Sequence, residues 1–271
     1  MGGLGGLGDA PLALQASFDR GDAELVPDAG RRLPGILVHR LTGLELVYVS
    51  SGEFDLGSPD GEQDRAPNEG PVRRVRMSGY YVARTEVSYA AWLAGGGSGG
   101  QRGFGAADEG DDHPVTDVSW EEADAWCRAN GLRLATEAQW EYAASGAENR
   151  IFPWGSSWDE TLCNAQETNA VDRWYFTSPV DAFADTGASW CGALGFAGNV
   201  REWCRDSYAD DYADIAPGTL DPYREGVSEY RVRRGGAFAS GPESCRTAFR
   251  LPDLPTSRHR AVGFRPVLEL P

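Results

Sequence analysis

The chain has 271 residues, 41% of them hydrophobic and 24% charged, with a formal net charge of −16 and only arginine among its 25 Lys/Arg positions. That charge argues against nucleic-acid phosphate or an anionic membrane as the main partner, since both need clustered basic residues. The missing lysine excludes Schiff-base chemistry on the protein. No apolar run approaches the roughly 20 residues of a membrane helix and no secretory leader is visible, so a cytoplasmic location is expected.

Residues 1–40 are rich in Gly, Ala and Asp with weak periodicity, and are read as a partly ordered N-terminal extension to a domain spanning 41–271. Alternation predicts a strand at 44–49 with 52–58 as its hairpin partner, and further strand over 72–84 turning at Ser78-Gly79. A short helix is predicted over Glu86–Leu93, followed by a glycine-rich acidic loop running to Asp112. Ser119 to Glu122 and Thr136 to Gln139 are capping boxes, each opening a helix. Trp120, Ala123, Trp126 and Cys127 face inward in the first, Trp140, Ala143 and Ala144 in the second. Gly131 and Gly146 stand where helix-terminating glycines belong. Beyond 150 the pattern predicts short strands and long loops, with nine tryptophans, ten tyrosines and ten phenylalanines to fill a core beneath them. Five cysteines without a CxxC spacing give no zinc signature.

The blocks RLATEAQWEYAASG (133–146), FPWG (152–155), GFAGNVREW (195–203), RVRRGGAF (231–238) and GFR (263–265) closely resemble, in order, those of the formylglycine-generating enzyme or sulfatase-modifying factor family. GEFDLGS, EVS and HPVTDVSW match its earlier blocks, so the likeness covers residues 41–268. It implies an α+β variant of the C-type lectin fold, with small twisted antiparallel sheets, two main helices, many long loops and bound calcium. The family contains copper- and O₂-dependent oxidases of protein cysteine, an iron-dependent sulfoxide-forming branch, and binding modules.

In the oxidases, two cysteines five positions apart grip Cu(I), a soft metal that wants soft ligands. At the matching positions this chain has Ser240 and Cys245. Ala237 stands where the oxidases have serine after Gly-Gly, Arg201 where they have the first tryptophan of Trp-Glu-Trp, and Ala261 where they have asparagine. A copper site is therefore not expected. His39, His113 and His259 are far apart and lack the setting of the iron branch. The resemblance implies one calcium site at Asn164, the Ala165 carbonyl, Asp172 and the Trp174 carbonyl. A second would use Gly198, Val200 and Glu202, but has Gly195 at its leading Asn/Asp position. It also implies that Cys204 and Cys245 are neighbours; Cys163 and Cys191 are a further possible pair.

The expected function is a non-catalytic binding module that recognises a protein or peptide through the C-terminal loop 237–261, in a signalling, defence or diversified-receptor setting. Arg201, Phe238, Ser240, Glu243, Phe249, Leu251, Asp253 and His259 are the candidate contact residues. The alternative is a divergent copper- and O₂-dependent oxidase of a protein cysteine, acting through Cys245 with a second cysteine such as Cys204.

Overall fold

The computed structural model describes residues 17–20, 25–28, 31–104, 110–165 and 174–270. Its largest sheet has six strands, in the order Phe18–Arg20, Ile36–His39, Glu45–Val49, Tyr80–Ala83, Pro266–Glu269, Arg133–Leu134, all paired antiparallel. The near-continuous burial of 45–49 and 80–83 marks them as central strands covered on both faces. Within the stretch read as an extension, Phe18 and Leu37 are buried in the core of this sheet.

The expected hairpin between 44–49 and 52–58 is overturned. Gly52–Leu56 pairs instead with Arg73–Met77 in a separate two-stranded sheet. Ser50-Ser51 lacks the glycine or asparagine that a tight hairpin turn needs at positive φ, so the chain crosses between sheets there. It returns through Ser78-Gly79, where the predicted break between strands is found.

Three α-helices lie among the described residues, at Tyr89–Ala94, Trp120–Ala129 and Glu137–Ser145. Both capping boxes close as predicted. Ser119 Oγ accepts from the Glu122 amide while the Glu122 carboxylate accepts from the Ser119 amide; Thr136 and Gln139 do the same. After residue 145 the described residues contain no α-helix, only a short 3-10 turn at Pro242–Cys245. The 120–129 helix closes one apolar cluster with Trp92, Trp203 and Phe264. The 137–145 helix closes another with Trp140, Phe54 and Phe196. Trp140 and Trp203 are both fully buried, and each such ring contributes about 4 kcal/mol or more of gross hydrophobic stabilisation. None of the described helices is long and apolar enough to cross a membrane.

Between these clusters lies a four-stranded sheet in the order Arg250–Asp253, Arg231–Arg234, Arg201–Ser207, Val262–Phe264. It carries Arg201, Leu251 and Asp253 of the candidate contact residues, and the loops at its ends carry the rest.

Candidate functional site

Side chains alternate across a strand, and the register Glu202↔Arg234 and Trp203↔Arg233 sorts this sheet into two faces. Glu202, Cys204, Val232 and Arg234 turn toward the 137–145 helix; Arg201, Trp203 and Arg233 turn the other way. The first face is an ion-pair layer. Arg265 Nη2 donates to Glu202 Oε1 at 2.8 Å and its Nε to Oε2 at 3.0 Å, while Trp140 Nε1 donates to the same Oε2 at 2.8 Å. Arg250 grips Glu137 at 2.6 and 2.8 Å, and Arg234 binds Glu141. Other guanidinium nitrogens satisfy main-chain carbonyls: Arg265 reaches Ala83 and Leu194, Arg234 reaches Ala248, and Arg250 reaches Ala209. The nearby arginines hold Glu137 below the ordinary carboxylate range despite the opposing effect of burial.

The second face is arranged differently. Arg201, partly buried, sends Nη2 to Ser240 Oγ at 3.0 Å, and that hydroxyl also accepts from the Ala237 amide at 3.0 Å. Arg233 pairs with Asp253 at 3.0 Å, and Asp253 in turn meets His259 Nε2 at 2.7 Å. Burial lowers the pKa of Arg201; burial lowers that of Arg233 too, with Asp253 opposing and the Arg201 charge adding to the effect. The structure thus brings Arg201 and Ser240 together, and Asp253 and His259 around Arg233. Leu251 lies opposite Arg233 in the ladder and, like Phe249, is half-buried, while Glu243 stands exposed on the 3-10 turn. Phe238 is not on the surface: it is 7% exposed, stacked on Phe104 and edge-on to Phe176. Arg233, Phe104 and Phe176 were missed by the sequence reading. The alternation in Arg231-Val232-Arg233-Arg234 was a usable signal for Arg233; the two phenylalanines come from distant loops and carried none.

The turn behind Ser240 depends on Gly236, whose φ is +70° and where a Cβ would meet Cys245 Sγ at 2.6 Å. Cys245 is fully buried, packed with Phe152, Cys163, Ala165 and Ala197, whereas Cys204 belongs to the cluster around Trp140. Cys204 and Cys245, expected as neighbours, therefore sit in different clusters, and Cys163 and Cys191 are likewise divided. None of the five cysteines is in a disulfide.

The first calcium set fits in part. Asn164 is 1% exposed, and its Nδ2 donates to the Phe176 carbonyl at 2.6 Å while Oδ1 is buried with no hydrogen-bond partner. An unpaired oxygen of this kind suits a hard cation. Ala165 and Trp174 are described; Asp172 lies outside the described residues. A cavity of about 20 Å³, room for one ion or water, is lined by Asn164, Asn199 and Glu86. The second set does not fit, because both oxygens of Glu202 already accept from Arg265 and Trp140. The gap at Gly195, φ +72°, is taken by Glu86, whose Oε2 lies 2.4 Å from where a Cβ would stand. Burial pushes Glu86 up to about 8; Arg265 opposes the shift and Glu202 adds to it.

Comparison with known proteins follows the same outline. A family model described as "Sulfatase-modifying factor enzyme 1-like domain" matches residues 38–270. A formylglycine-generating enzyme of Streptomyces coelicolor is 30% identical, across 81% of this chain and 87% of that protein. Among solved structures, PvdO from Pseudomonas aeruginosa superposes with a TM-score of 0.74 at 25% identity, covering 87% of this chain and 98% of PvdO. Variable protein 1 of Treponema denticola gives 0.69 at 22% identity, covering 83% and 94%, a likeness of fold alone. The architecture is the α+β formylglycine-generating-enzyme-like variant of the C-type lectin fold that the sequence blocks implied.

Proposed function

The chain belongs to the sulfatase-modifying factor enzyme 1-like family, and from that premise we propose that it is a non-catalytic module that binds a protein or peptide on the outer face of the four-stranded sheet. The observation that carries this reading is the contact between Ser240 and Arg201. Where a copper-binding pair would need a second thiolate, a hydroxyl stands, and it is already committed to the Ala237 amide and the Arg201 guanidinium. The other expected thiolate, Cys245, is sealed from solvent. A braced Arg201, on the sheet face that also carries Arg233 and half-buried Leu251, suits recognition, because the side chains are held before a partner arrives.

Anaerobic Cu(I) titration followed by oxygen-uptake measurement with a cysteine-containing peptide tests this reading. The expected result is no stoichiometric copper binding and no turnover. Tight binding and turnover, both lost in Cys245→Ser, would overturn it in favour of an oxidase. The packing of Cys163 in the same apolar cluster as Cys245 makes Cys163 the second thiol that such an enzyme would use.

Calcium at Asn164 belongs to the same proposal, as a brace between Asn164 and the Asn199 turn rather than a participant in binding chemistry. The buried unpaired Oδ1 supports it. If the ion is present, chelation lowers the melting temperature and calcium at about 100 times its Kd restores about 2.7 kcal/mol of stability. Asn164→Ala abolishes that response.

A further inference from the structure

Resting on the reading of this face as a recognition surface, a narrower conclusion about ligand chemistry follows from how the chain treats its arginines. Arg224, Arg234, Arg246, Arg250 and Arg265 are buried, and each meets a carboxylate: Asp214, Glu141, Glu69, Glu137 and Glu202. A guanidinium taken from water needs such a partner, because burying an unpaired charge is costly. Arg201 lacks one. Its Nη2 donates to Ser240 Oγ, its Nε is buried with no hydrogen-bond partner, and it makes no ion pair among the described residues. Asp253, the carboxylate on this face, is shared by Arg233 and His259. Arg205, Arg233 and Arg234 also have a buried Nε without a hydrogen-bond partner, but each of them pairs with a carboxylate through its other nitrogens, which Arg201 does not do among the described residues. Arg201 is therefore left without a counter-charge among the described residues, in a protein whose overall charge is −16.

The surroundings are open. The Arg201 amide donates to the Ala261 carbonyl at 2.9 Å, which places Arg201 beside Arg260. Arg260 stacks over Phe104 at 4.1 Å and lines a groove of about 560 Å³ with Phe104, Thr116 and Asp117. Phe104 stacks on Phe238, which leads back to Ser240. Arg201 does not line this groove; the two are linked through the Ala261 hydrogen bond and the Phe104–Phe238 stack, so a peptide in the groove would run beside the strand that carries Arg201.

We infer that the partner presents a carboxylate, an aspartate or glutamate side chain of a peptide, to Arg201, with the fork oriented by Ser240. A planar carboxylate matches the guanidinium fork. A phosphate dianion is the poorer match, since one guanidinium balances only one of its two charges.

The test pairs two measurements on the full chain. Random linear peptides on phage are selected against the wild type and against Arg201→Gln, with far-UV circular dichroism and melting used to check that the variant folds. Separately, glutarate and inorganic phosphate are titrated while the arginine Nε–Hε NMR signals are followed, the Arg201 signal being the one absent from Arg201→Gln. The expected result is an Asp/Glu-containing consensus, binding weakened about tenfold or more in Arg201→Gln, part of it recovered in Arg201→Lys, and a saturable glutarate shift. Peptides without an acidic residue, or held equally by Arg201→Gln, overturn the carboxylate inference and leave peptide binding standing. If no peptide is selected, the binding-module reading fails, and the inference is then decided by glutarate: no saturable shift overturns it. A shift with phosphate alone overturns it in favour of a phosphorylated ligand.

Discussion

On the inner face of the four-stranded sheet, Arg234, with Arg250 and Arg265 beside it, is enclosed in carboxylates and loop carbonyls, and every exposure is near zero. On the outer face, next to Glu202 on the same strand, Arg201 has a hydroxyl and, among the described residues, no carboxylate. The side chain is the same and the strands are shared; what differs is whether the fold supplies the counter-charge. Inside, the guanidinium replaces the regular hydrogen bonding that long loops lack. Outside, it is left for something else to complete. On the proposed reading, a buried arginine is structural when its partner is internal and free for recognition when that partner is absent.

The comparison breaks if the inner pairs prove dispensable. Arg265→Ala leaves Glu202 buried beside Trp140 with its charge uncompensated, and should cost about 3–5 kcal/mol in urea unfolding. Next comes a buried carboxylate without an arginine partner. Burial, helped by the Glu137 charge, pushes Asp206 up to about 7, although the amides of Glu137 and Arg224 donate to it. The folded protein then holds a proton that the unfolded chain releases at ordinary carboxylate pH. The stabilisation is complete at acid pH and is lost as pH rises toward 7. Asp206→Asn should flatten the pH dependence of unfolding between pH 5 and 7 by about 2 kcal/mol relative to wild type.

The outer face predicts small effects. Arg258 pairs with Glu122 at the surface, 48% and 32% exposed, and Arg258→Ala should cost less than about 1 kcal/mol and fade with salt. Arg201→Gln should change the unfolding free energy by no more than about 0.5 kcal/mol, or raise it, because an uncompensated charge is removed. A loss as large as that of Arg265→Ala would make Arg201 a structural residue and erase the distinction between the faces.

Much of this was legible before any coordinates. The Ser119–Glu122 and Thr136–Gln139 boxes are local, with their hydrogen bonds closing within four residues, so their residue types suffice to predict them. The blocks around Trp140, Trp203, Arg234 and Arg265 identified the fold because they form one buried ion-pair layer. Strand pairing was less legible. Alternation at 44–49 and 52–58 says that each is a strand, but the ladders they join are chosen by partners tens of residues away.

The candidate site divides in the same way. Sequence singled out Arg201 and Ser240 by the residues that the oxidases have at those positions, and Asp253 and His259 as loop residues between the family blocks. It also placed Phe238 among the contacts, where the structure buries it against Phe104 and Phe176, and it had no means of seeing Glu86 fill the space at Gly195.

The sequence by itself thus determined the fold class, the two capped helices, the absence of a paired-cysteine motif and the identity of the unusual arginine. These rest on composition, on short-range hydrogen bonding and on contiguous motifs. Only the tertiary structure decided that Arg201 meets Ser240 and, among the described residues, no carboxylate, while Arg234, Arg250 and Arg265 are matched. Whether a charge finds a counter-charge depends on chain segments brought together from 39 to more than 110 residues apart, and no local pattern records that.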